Sequence, residues 1–138
     1  MKPHILPTIL ALLCCACQEY SYKETELHGM WQVISVEDKA TGELVEAEGD
    51  RYYIFQRHMA QVGYLAPNTG STRSMARYAC EFSIDNDSIY MGPFHAAPST
   101  FLQQFGIYDA HTTFAIDHAK RNKLIFTSDK ACISMRRY

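Results

Sequence analysis

Cysteine is the most reactive residue type in this chain, because a thiol can bind a metal, form a disulfide, act as a nucleophile or be modified covalently. Three of the five cysteines, Cys14, Cys15 and Cys17, stand close together near the N-terminus. They end an apolar run that starts at Ile5 and is preceded by Lys2, which is the order of residues in a secretory signal. The run is shorter than the roughly 20 residues of a membrane-spanning helix. These thiols therefore lie at the predicted cleavage point of an export signal.

The segment that ends at Cys17 resembles the lipobox of bacterial lipoproteins, in which an aliphatic residue and two small residues precede an invariant cysteine. Ala16 and Cys17 match the last two places, and Cys15 is acceptable as a small residue. Cys14 stands where Leu is usual, and Leu13 lies one place earlier. Choosing Cys14 or Cys15 as the modified residue would put bulky leucines where small residues belong. Cys17 is therefore the predicted lipidation site.

The lipobox resemblance implies that residues 1–16 are removed and that Cys17 carries a diacylglycerol thioether and an acylated amino group, with palmitate as a typical chain. Two or more acyl chains anchor a protein stably to a bilayer. Residues 17–26 are then a polar tether. Gln18 is not the Asp that retains some lipoproteins in the inner membrane, so we expect an outer-membrane lipoprotein of the cell envelope, facing the periplasm or the outside. The alternative is an ordinary secreted protein cut near Ala16.

The remaining residue types that support catalysis or metal binding lack the spacing that either function needs. The histidines after the predicted signal show no metal-binding pattern, and they stand at positions 28, 58, 95, 111 and 118. The sequence Asp85-Asn86-Asp87 lacks the later Gly and Glu of a calcium loop and predicts a hairpin turn. No Gly-x-Ser-x-Gly nucleophile motif is present. We therefore expect no metal, no cofactor and no enzyme activity.

The charge balance argues against a nucleic-acid partner. Lys and Arg number 13 against 15 Asp and Glu, and Lys2 is lost with the signal. No cluster of basic residues forms the patch that a nucleic-acid binder needs. No repeat or linker divides the mature chain, so residues 27–138 are predicted to form one domain with its own core.

Cys80 and Cys132 are the cysteines that remain after processing. An oxidising compartment would allow them to pair. The alternation of strand residues places Cys80 on one face with Tyr78 and Phe82, whereas Cys132 lies opposite the apolar face of its own strand. The pattern favours two free thiols over a disulfide, with Cys80 as a core residue.

Turn residues interrupt the mature chain every eight to twelve residues, which is typical of an all-β sandwich or barrel. Aromatic and β-branched residues alternate with polar ones between these turns, as expected of half-buried strands. The predicted strands are 28–36, 51–57, 59–66, 73–84, 89–91, 112–118, 123–127 and 131–137. Strands joined in sequence order favour an antiparallel up-and-down meander, which must close or shield its edges. We expect a closed barrel of about eight strands.

Residues 93–111 interrupt this strand pattern. Ser99 could cap a short helix at residues 100–105 that ends at Gly106, with Phe101, Leu102 and Phe105 on one face. Such a helix could cover an opening of the barrel. The alternative is an irregular loop with buried aromatic side chains.

Short motifs along the mature chain resemble those of the small lipocalin-like (calycin-like) lipoproteins of Bacteroidetes. The matching segments are Gly29-Met30-Trp31-Gln32, Tyr52-Tyr53-Ile54-Phe55-Gln56, Phe114-Ala115-Ile116, Lys123-Leu124-Ile125-Phe126 and Arg136-Arg137-Tyr138. The resemblance implies a lipocalin-like barrel whose end is closed by Gly29, Trp31 and an arginine of the last strand, either Arg136 or Arg137. It implies no particular activity, because a fold hosts many functions.

The sequence is compatible with two functions. Strand alternation predicts an inner set that could line a ligand cavity or simply fill a small barrel. Beside Trp31, this set consists of Val33, Tyr78, Phe82, Phe114 and Ile116. A lined cavity would make the chain a membrane-anchored binder of a small apolar or amphipathic ligand. A filled interior, with an exposed aromatic patch on the strand of Tyr52, would favour a tethered protein-interaction or structural module of the envelope.

Overall fold

The computed structural model of the chain describes residues 26–47, 49–65 and 77–138, apart from the side chain of His118. Antiparallel strands and one short helix make up this part of the chain. The strands are β1 (Gly29–Asp38), β2 (Leu44–Glu46), β3 (Arg51–Gln56), β4 (Met59–Tyr64), β5 (Arg77–Asp85), β6 (Ser88–Met91), β7 (Thr112–Lys120), β8 (Lys123–Thr127) and β9 (Ala131–Arg137). The helix, α1, is Ser99–Gln103. The predicted all-β architecture is confirmed.

Eight of these strands form a closed barrel in sequence order. The neighbours run β1-β3-β4-β5-β6-β7-β8-β9, and β9 pairs back with β1 from Trp31↔Arg137 to Asp38↔Ala131. Closure removes the exposed edges that an open meander would leave. The short strand β2 lies outside this cycle, beside the second half of β1. It was not predicted, because three exposed residues carry no readable alternation.

Bulges adjust which residues of the barrel strands face inward. The pairing of β1 with β9 shifts between Val33 and Ser35, and that of β7 with β8 shifts between Ile116 and His118. The extra residue reverses the inward–outward alternation beyond it. Val33 and Val36 are therefore both buried, although they are three residues apart.

Aromatic rings occupy the centre of the barrel. Phe55 lies 5.3 Å from Phe82 and 5.9 Å from Phe126, measured between ring centroids, and Phe126 lies 5.4 Å from Phe114. Tyr53 joins the same cluster at 6.2 Å from Phe126. Edge-to-face and stacked rings at these distances attract one another beyond the gain from burial. The interior at this level is filled by side chains.

The helical alternative for residues 93–111 is confirmed, with different ends. Pro98 occupies the N-cap position and supplies no side-chain hydrogen bond, so the predicted Ser99 cap is wrong. The helix stops at Gln103, two residues before the predicted end. Phe105 and Leu102 are buried against the barrel, and Gly106 follows with a positive φ of 78°. The segment therefore covers one end of the barrel.

The outer face of β3 differs from the exposed aromatic patch that the sequence suggested. Tyr52 is only 1% exposed, because its ring lies over Gly63, its direct partner on β4. A Cβ atom at Gly63 would stand 2.7 Å from the Tyr52 hydroxyl oxygen, so glycine provides the space for the ring. The guanidinium carbon of Arg77 lies 5.9 Å from the centre of the same ring. An aromatic ring that shields a strand glycine stabilises the sheet and is not a docking patch.

Cys80 and Cys132 are free thiols on β5 and β9. Cys80 is buried among core residues, and Cys132 is half-buried. Burial raises the pKa of the Cys80 thiol to about 12. The thiol is therefore protonated near neutral pH and a poor nucleophile.

Candidate functional site

One end of the barrel is closed by Arg137. Its guanidinium carbon lies 4.3 Å from the centre of the Trp31 ring, within the range of a cation–π contact. Its Nε atom donates to the carbonyl oxygen of Arg121 at 2.9 Å. Its Nη1 and Nη2 atoms donate to the carbonyl oxygens of His28 at 2.8 Å and Glu26 at 2.7 Å. One side chain thus joins the last strand to the β7–β8 turn and to the segment before β1.

Trp31 and Gly29 complete this closure. Trp31 is fully buried, and its Nε1 atom donates to the carbonyl oxygen of Leu27 at 2.9 Å. Gly29 has a φ of 114°, and a Cβ atom there would stand 3.1 Å from Nη1 of Arg137. Of the two arginines proposed from the sequence, Arg137 therefore closes the barrel. Arg136 is exposed and donates from Nε to Gln32 Oε1 at 2.7 Å, which places it on the outer wall.

The five predicted cavity residues do not surround an open space. Val33, Phe82, Phe114 and Ile116 are buried members of the packed core. Tyr78 is half-buried and lies outside the ring cluster, with its ring centroid 4.8 Å from that of Phe101. Packed side chains surround these residues, and a ligand cavity at these positions stays a prediction.

The opposite end of the barrel is covered by α1 and the residues after it. The rings of Tyr64 and Phe101 meet edge to face at 5.6 Å, and Phe105 lies 5.4 Å from Tyr64. The Tyr53 hydroxyl donates to the carbonyl oxygen of Phe105 at 2.5 Å inside the core. This hydrogen bond satisfies two buried polar groups and fixes the covering segment to β3.

Beside α1 lies a groove, which we call the α1 groove. It has a volume of about 290 Å³ and is open to solvent. The β1–β2 hairpin forms one wall and α1 the other. Its lining residues are Val36, Asp38, Glu43, Val45, Arg51, Thr100, Gln103, Gln104 and Tyr108. Valine side chains on one wall and charged or amide groups around them give the groove an amphipathic lining.

Arg51 is the cation of the α1 groove. Its Nη1 atom donates to the carbonyl oxygen of Gln104 at 2.9 Å, which holds the side chain against the end of α1. The guanidinium carbon stands 6.0 Å from the centre of the Tyr64 ring. The Nε atom is buried and has no hydrogen-bond partner among the described residues. An unsatisfied buried donor costs free energy, so the position of this side chain leaves one hydrogen bond unmade.

Tyr108 and Asp38 form the opposite polar side of the groove. Burial, and secondarily the carboxylate of Asp38, raise the pKa of the Tyr108 hydroxyl. That hydroxyl is therefore protonated at neutral pH and can donate a hydrogen bond. Asp38 Oδ1 accepts a hydrogen bond from the backbone N–H of Ala40 at 2.8 Å, which fixes the turn before β2. The groove thus presents donors and acceptors a short distance from the valine wall.

Sequence reasoning missed the α1 groove. Its residues come from β1, β2 and β3 and from the segment around α1, which is distant from these strands in sequence. The one local signal was the turn at Asp38, because its side chain and Gly42 predict a hairpin. The strand after that hairpin, β2, was the missing element.

Two further openings lie elsewhere on the surface. One, of about 280 Å³, lies along β5, β6 and the start of β7 and includes Glu81, Tyr90 and His111. The other is a broad concavity beside Gly29 and Met59 at the Trp31 end. Neither combines apolar walls with an unsatisfied buried donor in the way that the α1 groove does.

The described residues contain no group of three or more His, Cys, Asp or Glu side chains that could hold a metal ion. In the same ranges, no helix has both the length and the apolar character to cross a membrane. Cys17, the predicted signal and the predicted tether up to residue 25 lie outside the described residues, so their predicted roles stay predictions.

Comparisons with known proteins agree with this architecture. A family model described as a lipocalin-like domain matches residues 11–138. The fold is similar to the crystal structure of a lipocalin-like protein from Bacteroides uniformis, with a TM-score of 0.65 and 16% identity over 82% of this chain and 99% of that one. It is also similar to an uncharacterized protein from Bacteroides eggerthii, with a TM-score of 0.66 and 14% identity over 81% of this chain and 99% of that one.

No curated protein matches the sequence significantly. The solved structures are too distant in sequence to transfer more than their fold. The family match covers most of the chain, including every strand of the barrel and both of its closed ends. The predicted resemblance is confirmed, and the chain belongs to the lipocalin-like domain family.

Proposed function

We propose that this chain is a lipid-anchored lipocalin-like protein of the cell envelope that binds a small amphipathic molecule in the α1 groove. The observation that supports the binding site is the contrast between a ring-filled interior and an amphipathic groove beside α1. Binding pockets combine apolar walls with a few convergent polar groups. The groove, at about 290 Å³, is of a size that suits a small ligand.

The lining of the groove provides both apolar contacts and hydrogen-bonding groups. Val36 and Val45 offer an apolar wall, and burying apolar area against it contributes about 25 cal/mol per Å². Arg51 offers a cation at the groove lining, so the ligand carries an acceptor oxygen near its polar end. Tyr108 offers a second, uncharged hydrogen-bonding group. Binding rather than catalysis is the proposed role, since this arrangement holds a molecule without presenting an activated nucleophile.

The proposed anchor is the diacylglycerol on Cys17, and the proposed location is the outer membrane. The supporting features are the apolar run, the small residues before Cys17 and the absence of Asp at position 18. Mass spectrometry of the mature N-terminus in a native host tests this part directly. The expected species begins at Cys17 and carries the added acyl mass, whereas an intact or unacylated N-terminus contradicts it.

Ligand binding is tested by native mass spectrometry of the purified protein, followed by extraction of any molecule that co-purifies. The diagnostic variant is Val45→Asp, which places a carboxylate on the apolar wall. The matched control is Ile34→Asp, since Ile34 is 44% exposed and Val45 41%, and Ile34 does not line the groove. We expect the ligand to be lost from Val45→Asp and kept by Ile34→Asp. Equal retention in both variants contradicts the proposed site.

A second candidate function is docking of a protein strand onto β2. The backbone of Glu43 and of Ala47 is hydrogen-bonded to β1, through Asp38 N–H to Glu43 O and Ala47 N–H to Ile34 O. In an antiparallel pair every second residue bonds to the partner strand, so the N–H and C=O groups of Leu44 and Glu46 point away from β1. β2 has no other strand partner among the described residues, and a free edge can pair with an added strand. Leu44→Pro removes one outward N–H without touching the β1 bonds. The measurement is chemical cross-linking of the protein to a partner. This function is supported instead if the unsubstituted protein is cross-linked to a partner, Leu44→Pro is not, and no ligand is found in the α1 groove.

A further inference from the structure

The Trp31–Arg137 end of the barrel also carries the start of the described chain and several exposed turns. The pairs Gly29↔Phe55 and Trp31↔Arg137 place the start of β1, the β3–β4 turn and the end of β9 at one end. The pair Lys123↔Arg136 adds the β7–β8 turn to that end. We call this surface the anchor end, because the chain that leads to Cys17 leaves the barrel there, at Glu26.

Basic side chains concentrate at the anchor end. Its exposed cations are Arg57, Lys120, Arg121, Lys123 and Arg136. The described carboxylates of this end are Glu26 beside the closure and Glu81, Asp85 and Asp87 on the β5–β6 side. The opposite end has more carboxylates, which are Asp38, Glu43, Asp50, Asp109 and Asp129, and its cations are Lys39, Arg51, Arg77 and Lys130. Among the described residues, cations therefore outnumber carboxylates at the anchor end, and carboxylates outnumber cations at the opposite end.

Three of the cations stand in one row. Lys120 is the direct cross-strand partner of Lys123, and Lys123 is in turn the direct partner of Arg136. Directly opposed like charges destabilise a sheet. An anionic surface in contact with the row would relieve this repulsion, so the arrangement points to a negatively charged partner.

The proposed lipid anchor at Cys17 would place the negatively charged partner at the membrane surface. Between Cys17 and Glu26 the chain reaches at most roughly 30 Å when fully extended. The anchor end is therefore the part of the barrel that the acyl chains hold nearest to the bilayer. Met59 and Tyr138, 46% and 70% exposed, lie at the same end, and tyrosine is favoured at the membrane–water interface.

We propose that the anchor end docks on anionic lipid headgroups through the row Lys120–Lys123–Arg136, and that this contact orients the barrel with the α1 groove away from the bilayer. The inference rests on the proposed anchor at Cys17 for its location, and on the row for its chemistry. Each basic residue close to an anionic membrane contributes about 1 kcal/mol of attraction. The chain as a whole is acidic, so attraction to an anionic bilayer requires a local patch.

The test is sedimentation with lipid vesicles of a chain that begins at Gln18 and so lacks the acyl anchor. All strands and both closed ends come from residues 26–138, so this chain keeps the complete barrel. Vesicles that contain one-third phosphatidylglycerol are compared with pure phosphatidylcholine vesicles. We expect binding to the anionic vesicles alone and its loss at high salt, since salt screens exposed charges.

The matched variants are Lys120→Gln/Lys123→Gln at the anchor end and Lys39→Gln/Lys130→Gln at the opposite end, which remove the same charge. We expect the first pair to weaken vesicle binding by roughly tenfold or more, and the second to leave it nearly unchanged. Equal affinity for both vesicle types, or equal loss in both variants, overturns the proposal. An unacylated native N-terminus would contradict the proposed anchor at Cys17. It would not change the vesicle result, which tests the basic row alone.

Discussion

Tyr53 and Tyr52 are neighbours on β3 whose hydroxyl groups have opposite situations. The Tyr53 hydroxyl donates to the carbonyl oxygen of Phe105 at 2.5 Å inside the barrel. The Tyr52 hydroxyl is buried on the outer face and has no hydrogen-bond partner among the described residues. Adjacent residues of one type therefore provide a matched pair for measuring what a buried hydroxyl contributes.

We predict that Tyr53→Phe destabilises the protein by about 1–3 kcal/mol, because it leaves the buried Phe105 carbonyl without its donor. Tyr52→Phe removes a hydroxyl that already lacks a partner, so we expect a neutral or slightly stabilising effect. Urea denaturation of both variants is the measurement. Equal destabilisation by the two substitutions would contradict the assigned hydrogen bond.

Arg137 and Arg136 provide a second comparison. Arg137→Lys keeps the charge but loses the planar donor geometry that reaches three carbonyl groups and stacks on Trp31. We expect a loss of roughly 2 kcal/mol in the free energy of unfolding, at about 1 kcal/mol for each lost hydrogen bond and less for the partly exposed ones. Arg136→Lys, on the outer wall, should cost less than about 0.5 kcal/mol. A larger effect at Arg136 than at Arg137 would be inconsistent with this closure.

Gly106 and Gly42 share a positive φ but differ in the space around them. A Cβ atom at Gly106 would stand 2.7 Å from Cγ1 of Ile133, whereas nothing lies within 4 Å of one at Gly42. Gly42→Ala should therefore cost only the conformational strain of about 1 kcal/mol. Gly106→Ala adds a clash with the core, and we expect a total loss of roughly 2–4 kcal/mol. Thermal unfolding followed by circular dichroism compares the two, and similar melting temperatures would argue against the tight packing of this segment.

Stability should fall in alkaline solution because of two buried groups. Burial raises the pKa of the Cys80 thiol from 9.0 to about 12, and burial raises that of Tyr53 well above 10.0. Between the unfolded and folded pKa values, the unfolded chain has lost these protons while the folded chain keeps them. Unfolding therefore releases protons, and each group lowers the free energy of unfolding by up to about 1.4 kcal/mol per pH unit in that window.

The measurement is urea denaturation from neutral pH to pH 11, with Cys80→Ala as the test variant. The stability of this variant should decline less steeply above pH 9 than that of the unsubstituted protein. Cys132→Ala is the control for the removal of a thiol elsewhere in the barrel, since Cys132 is a half-buried residue of β9. A Cys80→Ala profile parallel to the unsubstituted one would refute the contribution of this thiol.

The barrel could be predicted from the sequence because apolar and polar residues alternate along its strands as their side chains alternate between the interior and the surface. In β5, Cys80 and Phe82 are buried between the exposed Ala79, Glu81 and Ser83, as the alternation indicates. The closure by Trp31 followed from the family resemblance. The choice between Arg136 and Arg137 did not follow, because adjacent strand residues face opposite sides and only the barrel decides which side is inside.

The α1 groove could not be predicted for a different physical reason. Val36 faces the groove because of the bulge between Val33 and Ser35, and no sequence pattern announces a bulge that contains no glycine. Arg51 and Tyr108 are brought together by the closed sheet, and each alone looks like an ordinary surface residue. A site whose residues meet only in the folded barrel can be identified only from the three-dimensional structure.

The pairing of β1 with β9 makes the first and last strands of the barrel direct neighbours. During synthesis, Trp31 emerges from the ribosome long before Arg137. Until β9 has been made, β1 lacks one of its strand partners and the Trp31 ring is not covered by Arg137. Contacts between such distant segments slow folding, and open strand edges invite aggregation in the meantime. A nascent chain of this topology would benefit from a chaperone that shields it until the final strand has emerged. Removal of β9 alone should leave an open sheet that aggregates.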